Sequence, residues 1–235
     1  LLRKIYRDNK FEGKNAIQTI MSMHMYPQHW MDVKVIQVSS NLRAKLKSGE
    51  YASYNELADA TGQFKLMGDY NSAHQKLESK RDEYDKKLIK LVEKFQVVQS
   101  IFNWQYMKII PVANEPNNKW FVPLSMELLQ LDSLSSGLAL RYISGLDEAA
   151  KNNKYGQVDD LLIDLKKFQR IAGIKVVPSE NKVKLEVSYN KMGIFKNTYR
   201  SYMAFGFLLL LLFFVRIFKK PTQKADKIFR YLALF

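Results

Sequence analysis

The sequence predicts a mainly α protein with a small β component, a helical extracytoplasmic domain anchored by a C-terminal transmembrane helix. Three observations carry that expectation: apolar residues recurring every three or four positions over 84–102, capping residues set before several such runs, and a nearly unbroken apolar stretch at 201–218. The chain has 235 residues, 47% hydrophobic and 26% charged, which is enough apolar material for one well-filled domain. Cysteine is absent, which excludes disulfides, thiolate metal sites and cysteine nucleophiles.

Asn15 is suited to cap a helix in which Ala16, Ile17, Ile20 and Met21 share a face, and Pro27 ends it. Residues 33–38 alternate as a strand does, and Ser53 with Glu56 has the spacing of a capping box. Residues 69–107 pass from charged to apolar, with Tyr84, Leu88, Leu91, Val92, Phe95, Val98 and Phe102 on one stripe; this is the expected longest helix and core spine. Residues 106–112 form a second extended piece, 114–118 carry loop chemistry, and Pro123 precedes a helical run from Met126. Two more helices are expected at 135–152 and 157–172, with Asp159 and Asp160 near the positive end of the second and Gly173 after its last turn. Beyond Pro178, Val183, Leu185, Val187 and Tyr189 alternate like a strand, yet Val183 and Val187 also fit a helix, so periodicity leaves both open.

The stretch SYMAFGFLLLLLFFVRIF at 201–218 would rise about 27 Å as a helix, close to the thickness of a bilayer core. It has no polar face. Tyr199 and Tyr202 suit one interface, Phe207, Leu210 and Phe214 the hydrocarbon, and Arg216, Lys219 and Lys220 the other interface. A buried core helix is the alternative. Lys191, Lys196 and Arg200 precede the run, whereas Arg216, Lys219, Lys220, Lys224, Lys227 and Arg230 follow it, so the C-terminal side is expected in the cytoplasm. The resulting division is an extracytoplasmic domain at 1–195, a transmembrane helix with a basic flank at 196–220, and a cytoplasmic loop at 221–235 whose last residues open a second span. Both ends read as cuts in a longer chain.

The 37 Lys and Arg against 23 Asp and Glu leave a net charge of +14, which invites nucleic acid as a partner. Runs such as Lys86-Lys87-Leu88-Ile89-Lys90-Leu91 read instead as a solvated helix face, and no nucleic-acid partner is expected. Met21, Met25, His24 and His29 lie in one segment with the thioether and imidazole donors that copper favours, and either histidine is a candidate haem ligand. Met23 points away from the face shared by Met21 and Met25, so methionine packing beside structural histidines is the simpler reading, and no metal is expected. Trp30, Trp104 and Trp120 read as separate core anchors. No phosphate-binding glycine loop, nucleophile elbow or zinc-binding histidine pair is present, and no catalytic residue is assigned.

Several segments together resemble a known family: Leu2-Arg3-Lys4-Ile5; Met21-Ser22-Met23 with Pro27 and Trp30; Ile109-Ile110-Pro111 with Asn114-Glu115-Pro116-Asn117-Asn118-Lys119-Trp120-Phe121; Val177-Pro178-Ser179; and Tyr189-Asn190-Lys191 with Ile194-Phe195. The pattern is similar to the fused cytochrome c biogenesis proteins of the Bacteroidetes group, system II (CcsBA-like) proteins in which a ResB-like and a CcsA-like (ResC) part share one polypeptide. The resemblance implies haem export and attachment to the CxxCH cysteines of apocytochrome c in the full-length protein. It also implies a bacterial inner-membrane location, and apocytochrome c, the remaining membrane part and the lipid bilayer as partners. It favours a helix over 182–195. The family's tryptophan-rich haem-handling motif and membrane histidines have no counterpart here, so no haem-binding residue is carried over. The rival expectations are a membrane-tethered scaffold unrelated to haem, and a copper protein built on the Met and His segment.

Overall fold

In the computed structural model, which describes residues 1–218, the chain divides into a first unit at 1–177 and a second that begins at Pro178. The first unit opens with α1 (Leu2–Tyr6), the hairpin strands β1 (Lys10–Phe11) and β2 (Lys14–Asn15), α2 (Ala16–Met25) and α3 (Pro27–Trp30). Strands β3 (Ile36–Gln37) and β4 (Tyr51–Ala52) flank α4 (Ser40–Leu46) and pair antiparallel, with Ile36 opposite Ala52. There follow α5 (Tyr54–Leu57), α6 (Met67–Gln75), α7 (Glu83–Phe102), and β5 (Ile110–Pro111) paired antiparallel with β6 (Trp120–Phe121). Helices α8 (Met126–Leu131), α9 (Ser133–Asn152) and α10 (Gly156–Ala172) complete the unit. Helices dominate, and among the described residues the strands form only two-stranded sheets, as the mainly α expectation requires.

Reciprocal caps start three of these helices. Asn15 and Gln18 exchange side-chain to backbone bonds at 3.0 Å before α2, Ser53 and Glu56 do so at 3.1 and 2.9 Å before α5, and Asp82 and Asp85 at 2.8 and 3.2 Å before α7. Each pair satisfies two backbone amides that the first helical turn leaves free. The single helix expected across 69–107 is divided. The Arg81 guanidinium donates to the carbonyls of Ala73, His74 and Lys76 at 2.9–3.1 Å, closing the end of α6, and Asp82 then starts α7 afresh. The strand expected at 33–38 shrinks to Ile36 and Gln37, both buried.

Helix α7 is the spine of the first core. Its buried residues Leu88, Leu91, Val92, Phe95, Val98 and Ile101 fall on one stripe, and Leu2, Ile5, Met23, Ile36, Leu42 and Leu57 from the surrounding elements complete the cluster. Phe95 stacks on Tyr54 at 4.5 Å and meets Phe64 edge-on at 5.5 Å. In α2 the buried face is not the expected one: Thr19, Met23 and His24 are inside, whereas Ile17 is 77% exposed. The Thr19 hydroxyl offsets its burial by donating to the Asn15 carbonyl at 2.9 Å.

A smaller core of Ile110, Phe121, Leu128, Ala139 and Leu165 holds residues 105–177 together. The loop between β5 and β6 turns on Asn114 and Asn118, both in the left-handed region that asparagine tolerates. Helices α9 and α10 pack closely at Gly145, where a Cβ would lie 2.9 Å from Leu161.

In the second unit, α11 (Glu180–Met192) settles the ambiguity at 182–195 in favour of a helix, and Gly193 at φ +53° joins it to α12 (Ile194–Phe218). Among the described residues no helix is long and apolar enough to cross a membrane, and the anchor expected at 196–220, which runs past those residues, is not confirmed. Lys196 and Arg200 occupy the first turns of α12. Tyr202, Phe207, Leu210 and Phe214 are exposed. The side chain of Arg216, the flank at Lys219 and Lys220, and the loop and second span expected at 221–235 lie outside the described residues.

Phe95→Ala should cost about 3–5 kcal/mol in urea unfolding, because the cavity left between Tyr54 and Phe64 adds to the lost transfer energy. A second expectation concerns acid. The Lys76 ammonium, 2.7 Å from Asp85, holds that carboxyl below the usual aspartate range. A carboxyl with a depressed pKa contributes stability that is present above its unfolded pKa and lost as the pH falls through the folded one. Lys76→Gln should therefore lose less stability than the parent chain between about pH 7 and about pH 3.

Candidate functional site

The segment at 21–31 is built by a break. Helix α2 stops at Met25 because Pro27 cannot donate a helical bond, and Tyr26 bends at φ −126° and ψ 55° before Pro27 restarts the chain as the first residue of α3. The bend leaves His24 inside, with 1% of its surface exposed, and sends Tyr26 outward. At the far end of α7 the chain also turns abruptly. Trp104 takes φ +58°, a conformation that costs a bulky residue roughly 1–3 kcal/mol, and its amide donates to the Ile101 carbonyl at 3.0 Å. The two features meet: the His24 ring stacks on the Trp104 indole at 4.9 Å with 28° between planes.

This stack forms one wall of a cavity of about 420 Å³, whose other lining residues include Met25, Pro27, Leu124, Ile143 and Ser144. Tyr26, Asp147 and Lys151 close it on the polar side. The Tyr26 hydroxyl donates to Asp147, and the Lys151 ammonium donates to the same carboxylate at 2.7 Å. The Lys151 bond, then the Tyr26 bond, holds the Asp147 carboxyl below its usual range, and the bond to Asp147 pushes the Tyr26 phenol up. The cavity thus lies at the seam between the first core and residues 105–177.

Neither ring nitrogen of His24 has a hydrogen-bond partner of acceptable geometry. Burial pushes the imidazole below the usual histidine range, while the nearby Ile101 carbonyl pulls the other way. The ring is therefore neutral at pH 7, with one donor and one acceptor to offer. No acid, base or nucleophile is bonded to it, so the arrangement suits binding or packing and contains no proton relay.

The candidates named from the sequence are only partly brought together. His24 and Met25 line the cavity, Met21 is half-buried on α2, and His29 is exposed on α3 with its ring 6.0 Å from Trp30. Among the described residues no group of three His, Cys, Asp or Glu could hold a metal ion. Trp104 and Tyr26 were not legible as site residues, since each meets its partner across 80 or more positions. Only the Asp147 and Lys151 spacing of one helical turn was visible in sequence.

No protein family model matches the chain. Protein NrfI of Wolinella succinogenes is similar to it, 25% identical over 224 residues. The match runs along 94% of this chain and 25% of that protein. The chain therefore spans about a quarter of the length of this curated relative.

His24 supplies a test by titration. A histidine whose folded pKa is depressed contributes stability that is present above its unfolded pKa and lost as the pH falls through the folded value. Replacing His24 with Phe keeps a ring against Trp104 and removes the titration. The fall in Tm between about pH 7.5 and about pH 5 should be smaller in His24→Phe than in the parent chain.

Proposed function

We propose that this chain is part of a membrane-bound cytochrome c biogenesis protein, and that residues 1–195 form its periplasmic docking or bracing domain. Similarity to Protein NrfI over most of the chain supports the relation to cytochrome c biogenesis. The family resemblance of the Asn114 to Phe121 loop and of Tyr189-Asn190-Lys191 supports it from separate positions. In this reading residues 196–220 cross the bacterial inner membrane, 221–235 lie on the cytoplasmic side, and apocytochrome c and the remaining membrane part are the partners. Haem is the cargo of the whole protein rather than a group held by this segment.

The observation that carries the docking reading is the apolar surface of residues 124–177. Met126 is 70% exposed, Leu134 85%, Ile171 76% and Ile174 75%, around a core of few buried side chains. Isolated exposed leucines are ordinary, but this density over so small a core suits a surface that another body covers. The anchor reading is supported by α12, where Phe205, Phe207, Leu208, Leu210, Leu211 and Phe213 are exposed and the sequence stays apolar apart from Arg216 through Phe218. The excess of basic residues after that run supports the orientation. No catalytic residue is assigned to this segment.

Deleting residues 30–190 from the full-length protein should abolish c-type cytochrome maturation while the membrane part remains inserted. Haem-stained gels and membrane fractionation read the two outcomes, and normal cytochromes in the deletion strain would sink the proposal.

A further inference from the structure

A second concavity lies on the opposite end of the spine, and its chemistry is unlike the first. Burial of Leu2 and Ile5 lays α1 onto α7, and with them come the basic residues of both helices. Arg3, Lys4 and Arg7 from the first segment and Lys87, Lys90 and Lys94 from α7 line one cleft of about 260 Å³. The three lysines are spaced i, i+3 and i+7, so helix geometry alone puts them on a single face. Arg7 caps α1 in the left-handed conformation at φ +72°, with its amide bonded to the Arg3 carbonyl at 3.1 Å. That backbone is strained for a non-glycine residue, and it turns the chain at the cleft.

The charge of this cleft is not balanced. Lys4 pairs with Glu93 at 3.1 Å, and Lys87 reaches Glu83 only at 4.0 Å. Among the described residues Arg3, Arg7 and Lys90 have no carboxylate within 4.0 Å. Lys94 is half-buried and fixed, donating to the Gln37 carbonyl at 2.9 Å and to the Gln37 side-chain oxygen at 3.0 Å. Burial, then the charges of Arg7 and Lys87, push its ammonium below the usual lysine range. Like charges gathered in a concave wall focus a positive field, and an anion placed there relieves their repulsion.

We propose that the cleft between α1 and α7 is an oxyanion site that takes a compact phosphate-class group. Its six cations offer planar guanidinium forks and ammonium donors suited to phosphate oxygens. No aromatic side chain lines it, so it has no platform on which a nucleobase could stack. The volume suits a phosphate or a diphosphate rather than a nucleotide. The group arrives either as a free anion or as the headgroup of an anionic phospholipid.

The test is calorimetric titration of the full chain, held in an uncharged detergent at constant ionic strength, with inorganic pyrophosphate and separately with soluble dioctanoyl phosphatidylglycerol. At least one of the two should bind saturably, and the tighter one names the source. The double variant Arg7→Gln, Lys90→Gln alters two exposed side chains and should weaken that binding about tenfold or more. Lys175→Gln with Lys184→Gln, which removes the same charge from exposed positions elsewhere, should leave it unchanged. Absence of saturable binding by either probe overturns the proposal, as does an equal loss in both double variants. Thermal melts of all three proteins separate a lost site from a lost fold.

Discussion

The apolar face of α7 is the constraint on which the first unit depends. Leu88, Val92, Val98 and Ile101 are wholly buried along it, and every helix from α1 to α6 contributes a side chain to that cluster or packs beside it. Full burial of such a side chain is worth about 1.5–3 kcal/mol, whereas an exposed ion pair is worth about 0–1 kcal/mol. The surface pairs Lys4 with Glu93 and Lys34 with Glu56 therefore decorate an arrangement that hydrophobic burial has already fixed. One helix also sets both concavities. Its outer lysines form half of the basic cleft, and the turn that follows its last residue delivers Trp104 to His24.

Residues 105–177 are organised differently. Their core is small, their two longest helices touch closely at Gly145, and large apolar side chains remain in solvent along α8 to α10. A domain half with so little buried surface has limited stability of its own. Tyr26 ties it to the first core through Asp147 and Lys151, a polar tie rather than a hydrophobic one.

Local chemistry was readable from the residues wherever the deciding partners lie within one helical turn. The caps at Asn15 and Ser53, the Asn-rich loop and the spine stripe at 84–102 are of this kind. Misreadings occurred where a distant group intervened. The face of α2 was rotated because Trp30 and Trp104 draw Met23 and His24 inward and leave Ile17 outside. The helix across 69–107 was divided because the Arg81 side chain, not a Gly or Pro, ends α6. The apolar run at 201–218 is a separate case: it reads as a membrane span by length and composition, while among the described residues no helix is long and apolar enough to cross a membrane.

Residue spacing was enough for the mainly α class, the caps at Asn15 and Ser53, the stripe of α7, and the segments that resemble cytochrome c biogenesis proteins, since each depends on a few neighbouring positions. Which charges and rings became neighbours was settled by long-range packing. Lys87 and Lys90 read as a solvated face until α1 placed Arg3 and Arg7 beside them, and His24 read as one of a methionine and histidine group until Trp104 claimed it. The reason is that hydrophobic burial is nondirectional: it fixes which helices meet, and the polar groups on their rims are brought together as a consequence.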